Sequence, residues 1–347
     1  MPVVRFFWVV MLCGWGLLAW AEEAQQGAVV SEEEVGNFSS LLPASGELRT
    51  EKRELEVIAP SEFKPVIRYL PQLIEKIQIE RLASDSPYVL LPHRPNYLLP
   101  VTWQNHPSNE HAQQMLQALT GDPKAGANVP ELNHVEVAFQ FSLKYCLNDG
   151  WLGKFSRIEF AYTNRSFWQA YNKDVSSPFR ETNHEPELIF SWLTRNQWVD
   201  YFSVALNHQS NGQTSAISRS WNRVIWEGGS VLPQGILRMR LWWRIPEAEK
   251  KTPFSSQGDD NPNIENYLGY GEVSYIYPFA KQNVSLVLRN NLNSAHNRAA
   301  MELGWTFPLT KRMQGYVQYF NGYGESLIDY DRNQQRIGLG IKLSDWL

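Results

Sequence analysis

The sequence is poor in cysteine, in histidine pairs and in long apolar runs. It has 347 residues but only two cysteines, Cys13 and Cys146, and its seven histidines form no H-x3-H pair and have no cysteine partner, so no zinc site is indicated. Its mean hydropathy is −0.39. A membrane-spanning helix needs roughly 20 nearly uninterrupted apolar residues, so the low mean hydropathy argues against a helical membrane protein.

The charge and the aromatic content narrow the possible classes of protein further. Asp and Glu number 36 against 32 Lys and Arg, a net charge of −4, and nothing in that balance favours a nucleic-acid partner. The 14 Trp, 15 Tyr and 16 Phe residues argue against intrinsic disorder, because disordered chains are poor in aromatics. A membrane β-barrel remains open, since its alternating apolar and polar residues average to a low hydropathy.

The N-terminus has the parts of a secretory signal peptide. Arg5 precedes an apolar run over residues 6–18, and small residues follow at Ala19 and Ala21. The alternative is a transmembrane anchor, for which the run is short. The sequence therefore predicts a signal peptide over 1–21, cleaved after Ala21, which leaves Cys146 as the only cysteine and no internal disulfide.

Two further segments precede the main domain. Residues 22–62 are acidic and polar with no clear period, which predicts a flexible tail. Residues 63–94 form a lead-in that includes a short helix, because Leu70, Leu73, Ile74 and Ile77 fall at helical spacing.

From residue 95 to 347 the chain consists of short alternating runs. In LRMRLWWRI, the residues Leu237, Met239, Leu241 and Trp243 share one face, while Arg238, Arg240, Trp242 and Arg244 share the other. Twelve such runs can be counted: Asn96–Trp103, Val135–Leu147, Ser156–Trp168, Pro186–Thr194, Trp198–His208, Ser218–Glu227, Ile236–Ile245, Glu265–Pro278, Asn283–Leu292, Asn297–Phe307, Met313–Gly322 and Gln335–Trp346.

This count predicts an all-β fold, a 12-stranded antiparallel transmembrane β-barrel with a polar N-terminal extension. Aromatics at the ends of the runs, among them Phe167, Trp168 and Phe320, are typical of interfacial girdles. A soluble β-sandwich or lipocalin-like barrel would also alternate. Such a barrel would have to bury the arginines and glutamates opposite the apolar face, which favours the membrane form.

The fifth run contains an exception to its apolar face. In WVDYFSVALNHQSNG, Phe202, Val204 and Leu206 share one face, and continuing by twos brings His208 and Ser210 to it. Polar side chains on the lipid-facing side cost free energy. A histidine within reach of a serine hydroxyl is the arrangement that activates serine as a nucleophile.

Two neighbouring features extend this pattern. The turn dipeptide Asn211-Gly212 would offer backbone N–H groups to an oxyanion, and in the next run Asn222 shares the outward face and would orient His208. The alternative is that His208 and Ser210 lie at the aqueous end of the strand and have no role, because H-x-S by itself is a weak motif.

The combination of motifs is much more specific. NHQSNG and SRSWNR, with SSPFRETN at 176–183, DDNP at 259–262 and NGYGESLIDY at 321–330, resemble the outer membrane phospholipase A family in residue type and in order. The resemblance extends from about Pro95 to the C-terminus and does not cover the N-terminal tail.

The resemblance implies roles for particular residues. Ser210 is the nucleophile, His208 the general base and acid, Asn222 the residue that orients His208, and Gly212 the oxyanion N–H donor. It also implies Ca²⁺, one ion per active site of the dimer, held by the Ser218 side chain, the backbone carbonyl of Gln213 and the backbone carbonyl of Ser176 of the partner subunit. Asp260 would belong to a second calcium site.

Two positions depart from the family. Ser215 stands where an aspartate of the second calcium site is common, so that site is expected to be weak or absent. Asn164 replaces a glutamine of the dimer interface, so the hydrogen bonding between subunits is expected to differ.

The function implied is calcium-dependent hydrolysis of sn-1 and sn-2 acyl esters of phospholipids and lysophospholipids (phospholipase A1 and A2 activity). The enzyme would act as a homodimer in the bacterial outer membrane, after export by the cleaved signal peptide. The alternative from another class is a non-enzymatic channel or transport barrel, although twelve strands leave little open lumen.

Overall fold

The computed structural model describes Ser86 and residues 88–344, apart from gaps at 111–112, 114–115, 118–119, 127–128, 130, 154, 176, 195–197, 214–216, 253–254, 256 and 311–312. The signal peptide, the tail and the helix between Pro65 and Ala83 are therefore predictions for residues outside this range. Ser176, Ser215 and residues 345–347 also lie outside the described residues.

Thirteen strands make up almost all of the regular structure in the described residues. They are β1 (Leu91–Pro92), β2 (Asn96–Gln104), β3 (Val135–Asp149), β4 (Ser156–Trp168), β5 (Phe179–Leu193), β6 (Tyr201–Ser210), β7 (Ser220–Leu232), β8 (Gly235–Arg244), β9 (Gly271–Phe279), β10 (Gln282–Asn290), β11 (Ala299–Pro308), β12 (Gln314–Gly322) and β13 (Gln334–Ser344).

The twelve strands β2–β13 form a closed antiparallel barrel. Each strand pairs with the next along the chain, and β13 closes the ring by pairing with β2, where Ile337 faces Trp103. The short β1 adds to β3 beyond the end of β2, with Leu91 opposite Lys144. The predicted 12-stranded barrel is confirmed.

Helix is scarce in the described part of the chain. A 3-10 turn covers Lys173–Val175, a four-residue helix α1 covers Glu265–Leu268, and a few helical residues lie between 110 and 120. Among the described residues, no helix has the length and apolar character needed to cross a membrane.

The two faces of the barrel wall differ in chemistry, as the alternation predicts. On β8, Leu237, Met239, Leu241 and Trp243 are exposed on the outside, at 39%, 48%, 45% and 52% of their surface. The intervening Arg240 points inward and pairs with carboxylates of Glu187, Glu227 and Glu272. The outer face of this strand is therefore apolar, as expected of a surface that lipid covers.

The lumen contains ion pairs that connect distant strands. Arg94 bridges Glu185 and Glu187 at 2.8–3.0 Å, and Arg336 lies 2.7 Å from Glu325. Because buried charges are tolerated only when they are paired, these contacts explain why the inward face carries arginine and glutamate. Arg94, Glu185 and Glu325 line the cavity that remains inside the barrel.

Some details of the sequence-based expectation are wrong. Residues 265–268 of the eighth predicted run are helical, because Ile264 and Leu268 pack into the interior and Gly269, with φ +69°, ends the helix before β9. Phe167 and Phe320 are buried inside the barrel, at 0% and 3% exposure, and so do not belong to an interfacial girdle.

Candidate active site

His208 and Asn222 lie directly opposite each other on neighbouring strands. The register of β6 and β7 pairs His208 with Asn222 and Ser210 with Ser220. The Asn222 carboxamide oxygen Oδ1 is 2.8 Å from Nδ1 of His208. Both side chains are partly exposed, on the face that also carries the exposed Phe202.

Ser210 is the last residue of β6 and shares the outward face of His208. The intervening Gln209 points into the barrel, where its Oε1 accepts a hydrogen bond from Trp221. Residues two apart on a strand point the same way. The described contacts include no hydrogen bond between His208 and Ser210, so the structure places these two side chains on one face without joining them.

Asn211 organises the loop that follows Ser210. It is 2% exposed, its Nδ2 donates to the carbonyl of Ile217 at 2.9 Å, and its Oδ1 accepts from the backbone N–H of Arg219 at 2.9 Å. Gly212 has φ +63°, the left-handed region that favours glycine. The turn is thus held from inside, and its backbone bends sharply next to the serine.

A cluster of oxygen atoms lies where the loop enters β7. The Ser218 hydroxyl donates to Oδ2 of Asp260 at 2.7 Å, and Ser220 donates to the same oxygen at 3.0 Å. Since the Ser218 hydroxyl gives its proton to a carboxylate, its lone pairs remain available to a cation. This donor set suits a hard cation such as Ca²⁺, and Gln213 lies in the same loop.

The other Asp260 oxygen pairs with the Lys250 ammonium. The Asp259–Pro262 segment is also fixed to β7, because Oδ1 of Asn261 accepts the Ser220 N–H at 3.0 Å. Among the described residues there is no cluster of three or more His, Cys, Asp or Glu side chains that could hold a metal.

Glu247 is a residue of the site that no sequence motif indicated. It lies in the connection after β8, and its Oε1 accepts a hydrogen bond of 3.0 Å from Nδ2 of Asn222. Burial raises the pKa of the Glu247 carboxyl, and the nearby Asp259 adds to this, while Asn222 and Arg244 act in the opposite direction. Only the three-dimensional course of the connection after β8 brings Glu247 to Asn222.

His184 on β5 also borders the serine. It is opposite Ser210 in the pairing of β5 with β6, and its Nδ1 is 2.6 Å from the Tyr162 hydroxyl. The Asn164 amide lies at 3.5 Å from the same nitrogen. The outward polar patch around Ser210 is therefore wider than the His208 and Asn222 pair.

A rigid inner wall supports this surface. The Arg223 guanidinium lies 4.0 Å from the centre of the Trp221 ring and donates to Asn207 at 2.9 Å and to Glu185 at 3.0 Å. Trp221 is fully buried. The strands that carry His208 and Asn222 are thereby clamped to each other and to β5 from inside.

A histidine that contacts a carboxamide and shares the outer face of a closed barrel with a serine is the arrangement expected of a serine hydrolase in a membrane barrel. Comparison with known proteins gives the family. The Phospholipase A1 family profile matches residues 73–343.

Individual relatives support the same family. The chain is 34% identical over 265 residues to phospholipase A1 of Klebsiella pneumoniae, covering 75% of this chain and 84% of the relative. It is also 34% identical to phospholipase A1 of Escherichia coli K12, covering 75% and 83%. The chain belongs to the phospholipase A1 family.

Solved structures show the same fold. Outer membrane phospholipase A from Escherichia coli matches with a TM-score of 0.64 at 32% identity, over 75% of this chain and 100% of that one. A Salmonella typhi outer membrane phospholipase dimer with bound calcium matches with a TM-score of 0.64 at 32% identity, over 77% and 97%. The chain is an outer-membrane β-barrel and a phospholipase, and the channel alternative is not favoured.

Proposed function

We propose that the chain hydrolyses sn-1 and sn-2 acyl esters of phospholipids and lysophospholipids, with Ser210, His208 and Asn222 as a triad. The observation that carries the proposal is the 2.8 Å contact between Asn222 Oδ1 and His208 Nδ1 on the outward face that also bears Ser210. Membrane lipid reaches this face directly, so the substrate need not enter the barrel.

The chemistry follows from the roles of these atoms. Asn222 Oδ1 accepts a hydrogen bond from the Nδ1–H of His208, which keeps the proton on Nδ1 and leaves Nε2 free to act as a base. Nε2 takes the Ser210 proton as Oγ attacks the ester carbonyl, and the Gly212 N–H stabilises the oxyanion. His208 then gives the proton to the leaving alcohol. The ester C–O bond to that alcohol breaks, which leaves an acyl ester on Ser210 Oγ. His208 then deprotonates a water that attacks this ester, and returns the proton to Ser210 Oγ as the fatty acid leaves.

A calcium ion at this site would be held by the Ser218 hydroxyl and the Gln213 carbonyl, with the carbonyl of Ser176 of the partner subunit. When bound it would supply positive charge next to the oxyanion. The Ser218 hydroxyl donates its proton to Asp260, so its lone pairs remain available to a cation, which supports this assignment. One ion per active site is proposed.

A second calcium ion at Asp260 has less support. Oδ2 accepts from Ser218 and Ser220, and Oδ1 pairs with the Lys250 ammonium, so a second ion would compete with Lys250. The lysine takes the place that a second cation would fill.

The active form is proposed to be a homodimer, because one calcium ligand comes from the partner and because a related phospholipase forms a calcium-bound dimer. The outer surface beside the site is suited to such contact. Phe160 and Tyr162 on β4 are exposed at 37% and 40% and lie next to Asn164. The signal peptide over residues 1–21 would direct export.

The test is hydrolysis of a phospholipid in mixed micelles by the full-length protein. We expect fatty acid release that requires calcium, stops with a chelator and is absent from Ser210→Ala. Planar-bilayer conductance of the same preparation tests the channel alternative. Large conductance with no calcium-dependent hydrolysis would reject the proposal.

A further inference from the structure

Asn222 is held at both ends of its carboxamide. Its Oδ1 faces Nδ1 of His208 at 2.8 Å, and its Nδ2 donates to Oε1 of Glu247 at 3.0 Å. The connection after β8 starts alongside it, because the Ile245 N–H donates to the Asn222 carbonyl at 2.8 Å. Glu247 is therefore brought to Asn222 by the backbone of this connection.

The orientation of this carboxamide decides the chemistry of His208. When the carboxamide oxygen of Asn222 faces Nδ1 of His208, the proton must be on Nδ1, and Nε2 is then free to act as a base. If the amide were reversed, its N–H would require Nδ1 to accept, the proton would move to Nε2, and His208 could not take a proton from Ser210. The two ends of a carboxamide have nearly the same size, so shape alone does not select between them.

Glu247 makes that selection. An ionised carboxylate accepts hydrogen bonds but donates none. It therefore favours the orientation in which the NH2 group of Asn222 points toward Glu247, and disfavours the one in which the oxygen does. Its negative charge also favours the imidazolium that forms on His208 during the reaction, although it acts from one residue further away than the aspartate of a Ser-His-Asp triad.

The other charged groups around the carboxyl are Asp259, Asp260 and Arg244, and the charged group beside His208 is Arg223. Burial raises the pKa of Glu247. When ionised, the carboxyl accepts the hydrogen bond from Nδ2 of Asn222.

We infer that Glu247 is a positioning residue that fixes the Asn222 carboxamide, and through it the productive tautomer of His208. The inference rests on the proposed function and extends the triad by a carboxylate outside the barrel strands. Glu247 touches neither the substrate nor the reacting atoms.

The first test compares Glu247→Ala and Glu247→Gln with wild type, using Glu249→Gln, an exposed carboxylate in the same connection, as the matched control. Loss of a charge-assisted hydrogen bond predicts a fall in kcat of about tenfold for Glu247→Ala with little change in KM. Glu247→Gln keeps an acceptor for Nδ2, so it should lose less. In both variants the acid limb of the kcat/KM profile should move to lower pH, because an anion near the imidazole is gone.

The second test uses a variant in which removing the charge of Glu247 is expected to raise activity. Asn222→Asp places a carboxylate against Glu247, and two carboxylates at hydrogen-bond distance repel each other. Glu247→Gln should therefore raise the activity of Asn222→Asp, although it lowers that of the wild type. A role of Glu247 in folding alone predicts no such reversal.

The outcomes separate this inference from the proposed function. Ser210→Ala is measured in parallel, and hydrolysis that survives it rejects the triad itself. If Ser210→Ala is inactive but both Glu247 variants match Glu249→Gln in kcat and pH profile, the positioning role is wrong. If Glu247→Ala does not fold, Glu247→Gln and the Asn222→Asp pair still decide the question.

Discussion

The carboxamide oxygen of Asn222 lies 2.8 Å from Nδ1 of His208, and the two residues are opposite each other on β7 and β6. This neutral partner can fix the tautomer of His208 but cannot itself supply a negative charge. The register of two neighbouring strands thus sets the geometry of the proposed base. Both residues of the proposed pair lie on strands of the barrel wall.

Removal of this contact should slow the chemical step. Asn222→Ala leaves the imidazole free to rotate and removes the hydrogen bond to the imidazolium, so kcat should fall by about 10–100-fold, with KM little changed. Steady-state kinetics on a dispersed ester substrate measures this. Asn297→Ala, an exposed asparagine on the β10–β11 connection, is the control and should match wild type. A KM effect without a kcat effect would assign Asn222 to substrate binding.

Lys250 should control the affinity for calcium. Its ammonium pairs with Asp260, which in turn holds the Ser218 hydroxyl, so it places a positive charge next to the proposed calcium ligands. Lys250→Gln should lower the calcium concentration for half-maximal activity by about 3–10-fold.

Direct calcium binding by calorimetry checks that this shift is not an effect on turnover. The control is Lys251→Gln, an exposed neighbour on the same connection. Unchanged calcium affinity in Lys250→Gln would show that the lysine does not act on the cation site.

Asn164 should limit the strength of the dimer. Its Oδ1 already accepts from the Ser166 hydroxyl at 3.0 Å, and its amide lies toward His184, so the side chain is held within its own subunit. Asn164→Gln reaches further from the barrel and should raise the dimerisation constant in detergent by about 3–10-fold, the range of interhelical and similar polar contacts in lipid. Sedimentation equilibrium with calcium present measures it. A weaker dimer in Asn164→Gln would contradict the interface assignment.

Arg223 should contribute strongly to stability. It is buried against Trp221 and pairs with Glu185 inside the barrel, so Arg223→Ala leaves a buried carboxylate with one partner fewer. The free energy of unfolding should fall by about 3 kcal/mol. Arg298, which lies 3.8 Å over the Tyr267 ring near the surface, gives the control, and Arg298→Ala should cost well under half as much. Urea unfolding in lipid vesicles compares the two.

Much of the barrel could be predicted from alternation alone. The run Ser156–Trp168 coincides with β4, and the outward position of His208 and Ser210 follows from the parity of Phe202 on β6. These segments have one apolar and one polar face, which is the pattern that a lipid-facing strand with a charged lumen side imposes.

Other parts leave no such pattern. β5 begins at Phe179, but the sequence indicated a start at Pro186, because the intervening Glu181, Asn183 and His184 make both faces of the strand polar. Glu247 lies in a loop with no motif, and its contact with Asn222 depends on the path of the chain after β8. The polar residues around the site therefore do not follow the alternation of apolar and polar residues that predicts the barrel strands.

The most direct measurement of the central claim is covalent labelling with a sulfonyl fluoride, followed by mass spectrometry of the modified peptide. Ser203 on the same strand points inward and is 8% exposed, so Ser203→Ala is a matched control for Ser210→Ala. We predict a calcium-dependent adduct on Ser210. The Ser203→Ala variant should keep both this adduct and phospholipid hydrolysis, and the Ser210→Ala variant should lose both. An adduct at any other residue, or hydrolysis that persists in Ser210→Ala, would contradict it.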